Sequence, residues 1–329
     1  MKNTVLDKWC IPQSNPVKRY CHICGIYISE KDTQSREGEQ YFCPKHRGLG
    51  YPNVLLMDGR LFKTVFKTVE KILQRDNADE LTIQVSKEGI HFRYMDPSHI
   101  SLTEIQLYPK AFKALNINFP TPKTFTIDLN KLRKILRTAE KNDEAQIRFN
   151  EENIQLSLLR KNYTHDKNAQ QMFFSLKLLE NPTEDIPEPE LNFQALISVK
   201  ASALIQALKR IRKLANYQNT YFKCNPNHLQ IYAHDENNNK ISQSFSKFKL
   251  LKIQTETEVS STYNSDYILT LIDGLKPYIN ETQIQYSKNT PILLIANLSS
   301  TKHTKDQNSY LGHIKAYLAP LIPENEWND

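Results

Sequence analysis

Four amphipathic stretches recur along this chain at intervals of about 65 to 70 residues, the mark of one structural unit used repeatedly. They run about Gly59 to Arg75, Leu129 to Lys141, Ser202 to Asn216 and Ser265 to Tyr278. In the first, Leu61, Phe62, Val65, Phe66, Val69, Ile72 and Leu73 keep the i, i+3, i+4 period that gathers apolar side chains on one helical face. Leu129, Leu132, Ile135, Leu136 and Ala139 do the same in the second, and Leu204, Ile205, Leu208, Ile211 and Ala215 in the third. The fourth carries Tyr267, Ile268, Leu271, Ile272 and Leu275. Between the helices lie runs of strand composition, among them Val54–Met57, Leu81–Val85, Ile90–Tyr94, Ile100–Leu107, Ala145–Phe149, Ile154–Leu159 and Gln171–Leu179. Further runs are Phe193–Val199, His228–His234, Lys240–Phe245, Gln283–Tyr286, Ile292–Leu298 and His313–Leu318. Helices segregated between groups of strands predict an α+β fold.

Glu180 to Leu191 divides the repeats two and two. Three prolines and five acids in these twelve residues neither propagate a helix nor supply a full strand ladder, so an extended, solvated connector is expected. The predicted organisation is an N-terminal extension over 1–50, one domain over 53–179, the connector over 180–191, a second domain over 192–324 and an acidic tail over 325–329. Ser299 to Ser309 is a polar loop without an apolar anchor, expected to move.

The solvent faces of the helices carry charge of one sign. Lys63, Lys67, Lys71 and Arg75 recur every fourth residue on the first; Lys131, Lys134, Arg137 and Lys141 lie opposite the apolar stripe of the second; Lys209, Arg210 and Lys213 occupy the third. The fourth offers only Lys276 against Asp266 and Asp273. A single such stripe is usually an ordinary solvated face, but three together suit a polyanion.

The chain has 329 residues, 39% hydrophobic and 24% charged, with a net charge of +7, a composition that permits a nucleic-acid partner without requiring one. No apolar run reaches the roughly 20 residues of a membrane span, and Met1 to Cys10 lacks a signal-peptide core, so an intracellular site is expected: cytoplasm or nucleoid, or the nucleus of a eukaryote. With eight glycines there is no G-x-G-x-x-G and no G-x-x-x-x-G-K-[ST], which argues against dinucleotide and P-loop chemistry.

Four of the five cysteines fall in the first 43 residues. Cys21-His22-Ile23-Cys24-Gly25 and Cys43-Pro44-Lys45-His46 are two short knuckles, each able to hold one side of a tetrahedral ion. Cys21, Cys24, Cys43 and His46 are therefore the candidate ligands of a structural Zn2+, with no position left open for water. The plain alternative is a set of buried thiols; Cys10 and His22 are spare donors, and Cys10 could replace one ligand.

Three strings carry a resemblance. Tyr94-Met95-Asp96-Pro97-Ser98-His99-Ile100-Ser101-Leu102, Ile186-Pro187-Glu188 and Tyr317-Leu318-Ala319-Pro320 resemble the sliding clamps of the proliferating cell nuclear antigen family, archaeal and eukaryotic, over about Asn53 to Glu324. The resemblance implies a two-domain DNA clamp of four βαβββ units per chain, with three chains closing head to tail into a ring, the small N-terminal zinc ribbon being an addition. It implies closing strands at about Asn168–Leu179 of one chain and Ala233–Gln243 of the next. The basic helices would line the hole around double-stranded DNA of any sequence: Lys134, Arg137 and Lys209 match basic positions of the family, and Lys63, Lys67, Lys71, Lys141, Arg210 and Lys213 join them on the face analysis.

A clamp-type chain is expected to tether DNA polymerase, the clamp loader and other replication or repair proteins through short peptides that enter a hydrophobic pocket under the connector. By position that pocket comprises Met95, His99, Leu179, Ile186, Pro291, Tyr317, Ala319 and Pro320, and Glu184 departs from the apolar residue expected in the connector. Plain core packing is the alternative for Met95 and Tyr317, and an ordinary turn for Asp96-Pro97-Ser98. No catalytic residues are expected: the zinc hydrolase or deaminase reading lacks H-x-E and H-E-x-x-H. A zinc-ribbon transcription or replication accessory factor reusing the clamp fold is the other alternative. Whether identical or related chains share the ring, and what the zinc module contacts, stay open.

Overall fold

The computed structural model describes residues 53–160, 171–180, 186–215, 219–300 and 310–322, together with four two-residue strands before them. The chain divides into two compact units, Met1–Tyr51 and Pro52–Asp329. In the first, β1 (Arg19–Tyr20) pairs antiparallel with β2 (Tyr27–Ile28), and β3 (Arg36–Glu37) with β4 (Gln40–Tyr41). Cys21, Cys24, Cys43 and His46, with Cys10 and His22, lie outside the described residues, as do Glu184, most of the Ser299–Ser309 loop and the acidic tail.

The second unit starts with β5 (Val54–Asp58), which runs directly into α1 (Gly59–Arg75). Asp58 caps that helix by accepting from the Arg60 N–H at 2.9 Å, satisfying one of the donors a helix start leaves free. The predicted stripe is the buried face, from Leu61 to Leu73, each such side chain contributing on the order of 1.5–3 kcal/mol when removed from water. Strands β6 (Glu80–Ser86), β7 (Gly89–Met95), β8 (Ser101–Leu107) and β9 (Phe112–Asn116) follow.

The pattern then repeats. β10 (Lys123–Asp128) leads into α2 (Leu129–Thr138), capped by Asp128 on the Lys131 N–H, and β11 (Asp143–Phe149), β12 (Asn153–Arg160) and β13 (Gln171–Lys177) follow. Helix α2 stops three residues before the predicted Lys141 because Ala139 is extended, with ψ of 134°, and the Asp143 carboxylate accepts from the Glu140 N–H. After the connector, β14 (Ala195–Lys200) enters α3 (Ala201–Ala215), then β15 (Asn219–Asn225), β16 (His228–His234), β17 (Lys240–Ser246) and β18 (Lys252–Gln254). β19 (Val259–Asn264) enters α4 (Ser265–Gly274), capped by Asn264 on the Asp266 N–H. Helix α4 ends at Gly274 rather than Tyr278; a Cβ there would stand 2.4 Å from the Thr68 hydroxyl of α1, so glycine lets the two helices approach. β20 (Glu281–Tyr286), β21 (Ile292–Leu298) and β22 (Gly312–Leu318) complete the chain.

Nine strands form one sheet in the order β10-β6-β7-β8-β22-β21-β20-β14-β18. Its middle joint, β8 with β22, pairs seven residues from Gly312↔Leu107 to Leu318↔Ser101, so the halves before and after the connector share one hydrogen-bonded surface. The other two sheets are β13-β12-β11-β5-β9 and β17-β16-β15-β19. β13 and β17 are outermost strands. The predicted closing segment Ala233–Gln243 is corrected by this order: Ala233 and His234 belong to β16, which pairs on both sides, and the free ladder begins at Lys240.

The helices pack in the row α2, α1, α4, α3. One apolar core runs beneath them through both halves, and a smaller cluster of Leu102, Leu293 and Tyr317 lies apart from it, with Met95, Ile186, Leu191, Phe193 and Ile295 packed against it.

Candidate functional site

Three surfaces arise from this arrangement. The first is the row of helices. With their apolar stripes buried, α1 exposes Lys67 and Lys71, α2 exposes Lys131, Lys134 and Arg137, and α3 exposes Lys209, Arg210, Arg212 and Lys213. Lys141 is exposed in the turn after α2. Lys63 departs from the expectation: it is half-buried, and its ammonium donates to the Ala139 carbonyl at the end of α2. That lysine closes a helix end and is not a free cation. Arg75 is also engaged, its guanidinium 3.3 Å over the Tyr267 ring and 2.9 Å from Asp76. Arg133 pairs with Glu70 at 2.7 Å, joining α2 to α1.

The second surface is the face of the nine-stranded sheet under the connector. Met95, His99 and Ile186 line one cavity of about 770 Å³, floored by Val69, Leu73 and Phe92. Asp96 shapes its rim: the buried carboxylate accepts from the Ser98 N–H at 3.2 Å and from the Ser101 N–H, and His99 turns the chain with a φ of 56°. Tyr317 adjoins the cavity through the apolar cluster it shares with Met95 and Ile186, but is not part of its lining. Leu179, Pro291, Ala319 and Pro320 are half-buried outside the lining. The eight predicted pocket residues thus split into a cavity group of three, Tyr317 beside it, and four that do not line it.

The connector is held down rather than free. Glu188 accepts from Lys315 Nζ at 2.9 Å and from the Tyr317 hydroxyl at 2.8 Å, while Ile186 and Leu191 pack on the cluster below. The Lys315 ammonium and the Tyr317 hydroxyl hold the Glu188 carboxyl below its usual value. Sequence reading missed this anchor because the partners stand 127 and 129 residues from Glu188.

Along the same face Glu104 sits among basic side chains. The Nε2 atoms of His313 and His91 stand 3.5 and 3.6 Å from one of its oxygens, and Arg93 is 3.8 Å from the other. His313 and then His91 depress the Glu104 carboxyl far below its ordinary range, against the opposing effect of burial. Tyr108 meets His313 Nδ1 at 2.6 Å. Among the described residues no group of three or more His, Cys, Asp or Glu is arranged to hold a metal ion.

The third surface is the pair of outer strands. On β13 the Phe173 ring is 70% exposed, a large apolar group next to an unpaired ladder. β17 offers the complementary ladder from Lys240 to Ser246.

Comparison with known proteins points in one direction. Residues 53–185 match the family model described as "Proliferating cell nuclear antigen, N-terminal domain". A relative from Thermococcus kodakarensis named DNA polymerase sliding clamp 2 is 27% identical over 247 residues, covering 73% of this chain and 89% of that protein. The DNA polymerase sliding clamp of Pyrococcus furiosus is 24% identical over 264 residues, covering 80% and 95%. Among solved structures, PCNA from Thermococcus kodakaraensis matches with a TM-score of 0.66 at 24% identity, over 82% of this chain and 99% of that one. The PCNA2–PCNA3 complex of Sulfolobus tokodaii follows with a TM-score of 0.65 at 20% identity, over 81% and 98%. These likenesses establish a clamp fold.

Proposed function

We propose that this chain is a DNA sliding clamp: it encircles duplex DNA as part of a ring and tethers DNA polymerase to its template. The observation that carries the reading is the row of four helices, three of them with cationic outer faces, together with sheets whose outermost strands β13 and β17 each leave one ladder unpaired. Head-to-tail pairing of β13 with β17 of a neighbouring chain satisfies both ladders and repeats until the ring closes. Cations that meet phosphates without reading bases let such a ring slide. The work done is tethering, with no covalent step: a polymerase on the ring stays at high effective concentration near the primer end.

Docking belongs to the cavity beneath the connector. A short peptide with an apolar anchor fits between Met95, His99 and Ile186, beside Tyr317. For the N-terminal unit we infer a structural Zn2+ on Cys21, Cys24, Cys43 and His46, on the strength of the knuckle spacing alone.

Native mass spectrometry with a primer-extension assay tests the reading. A species of three times the 38.3 kDa chain, or a ring completed only with related subunits, together with longer polymerase products supports it. Phe173→Asp should disperse the ring and abolish the stimulation. A monomer that binds DNA with sequence preference would favour the accessory-factor alternative.

A further inference from the structure

The row of helices is not evenly charged. Order along it is α2, α1, α4, α3, and the only formal charges within α4 are Asp266 and Asp273. Both reach across to α3. Asp273 Oδ1 lies 2.7 Å from Lys209 Nζ, and Asp266 Oδ1 lies 2.9 Å from Arg212 Nε. Lys67 and Lys71 of α1 and Lys134 and Arg137 of α2 are exposed, with no ion-pair partner among the described residues. Arg210 and Lys213 are the cations of α3 that have no ion-pair partner among the described residues.

At Lys67, Lys71, Lys134 and Arg137 a phosphate approaching α1 and α2 meets cations that no carboxylate among the described residues claims. At α3 it meets Arg210 and Lys213, but also two cations already paired and the carboxylates that pair them, all within the distance over which charges act at physiological ionic strength. Counterion release rewards only cations that the protein has not paired internally. We propose that, given the clamp reading on which this rests, duplex contact in each chain is carried mainly by α1 and α2, and that Asp266 and Asp273 withhold Lys209 and Arg212 from it. Each chain then presses the duplex toward the half before the connector and leaves the half after it more lightly engaged. Lys209, expected from sequence to be a primary contact, becomes a cation held in reserve.

The test is equilibrium binding of the full-length protein to a fluorescein-labelled random-sequence duplex, followed by anisotropy as salt is raised. Lys67→Ala with Lys134→Ala should weaken binding at least fivefold and reduce the log–log salt slope by about 2 for each chain that touches the duplex, on the basis of roughly 0.9 per lost phosphate contact. Lys209→Ala with Arg212→Ala should leave affinity within about twofold and the slope unchanged. Asp266→Asn with Asp273→Asn should tighten binding severalfold and steepen the slope by about 2 for each chain that touches the duplex. A gain of affinity cannot come from partial unfolding, so this last variant separates a brake on DNA contact from a mere helix-packing role, which predicts a lower melting temperature and no gain. Equal losses for the two alanine pairs, or no gain in the asparagine pair, would overturn the proposal while leaving the clamp reading intact. Absence of any salt-dependent duplex binding in the unaltered protein would instead remove the clamp reading, and the proposal with it.

Discussion

The Tyr317 hydroxyl donates to Glu188 Oε1 at 2.8 Å, pinning the connector to β22 across 129 residues of sequence. Tyr317→Phe keeps the ring in the apolar cluster and removes only this bond. Limited proteolysis at the connector glutamates should then speed up about five- to tenfold, the equivalent of the roughly 1–1.5 kcal/mol a net hydrogen bond contributes to closing a local segment. An unchanged cleavage rate would mean that the apolar contacts of Ile186 and Leu191 hold the connector by themselves.

Acid should loosen the same face. Glu104 and Glu188 both have carboxyls depressed in the folded state, Glu104 chiefly by His313 and His91 and Glu188 by Lys315 and Tyr317. A depressed carboxyl contributes stability that is fully present above its unfolded value near 4.5 and is lost as pH falls through the folded value. Melting temperature should therefore fall as pH drops below about 4.5, and Glu104→Gln should flatten that fall while lowering stability at neutral pH. A variant with the acid-side slope of the parent protein would show that other carboxylates carry it.

The joint between the halves tolerates no added carbon at Gly312. A Cβ there would lie 2.0 Å from the Gln106 carbonyl oxygen on β8, a backbone atom that cannot rotate away. Gly312→Ala should destabilise by roughly 2 kcal/mol or more, a drop of about 5 °C in melting temperature for a chain of this size. A melting curve within a degree of the parent would mean that the two strands separate at little cost.

Metal analysis should find one Zn2+ per chain, lost in Cys21→Ser with Cys24→Ser. The calorimetric transition of residues 53–322 should survive that loss, since the chain separates into compact units at Tyr51 and Pro52. Loss of both transitions together would make the N-terminal unit integral to the fold of the rest.

Much of the fold was legible because its signals are local. The stripes of α1, α2 and α3 fixed helix positions to within a few residues, and between the expected runs His228–His234 and Lys240–Phe245 the chain turns on Asp235, which accepts from the Asn237 and Asn239 N–H groups. Strands such as β10 and β19, with Lys123-Thr124-Phe125-Thr126 and Ser260-Ser261-Thr262-Tyr263, hide behind polar residues and are recognisable only from their pairing.

The site was legible by class more than by residue. A positive stripe announces a polyanion, yet nothing in the sequence near Lys63 says that the Ala139 carbonyl claims it, and nothing near Lys209 names Asp273, 64 residues away. Long-range pairing decides which cations are free, and it exists only once the helices are packed.

The seven paired residues of β8 and β22 also have a mechanical meaning. Hydrogen bonds laid side by side across this joint resist shear and bending together, so the halves before and after the connector are coupled through one sheet and not through the connector alone. In the proposed ring the weaker joints would be those between chains, where β13 would meet β17 of a neighbour. Admission of a duplex and exchange of a subunit would then draw on one and the same joint, and whatever braces that joint would govern how long the ring stays shut.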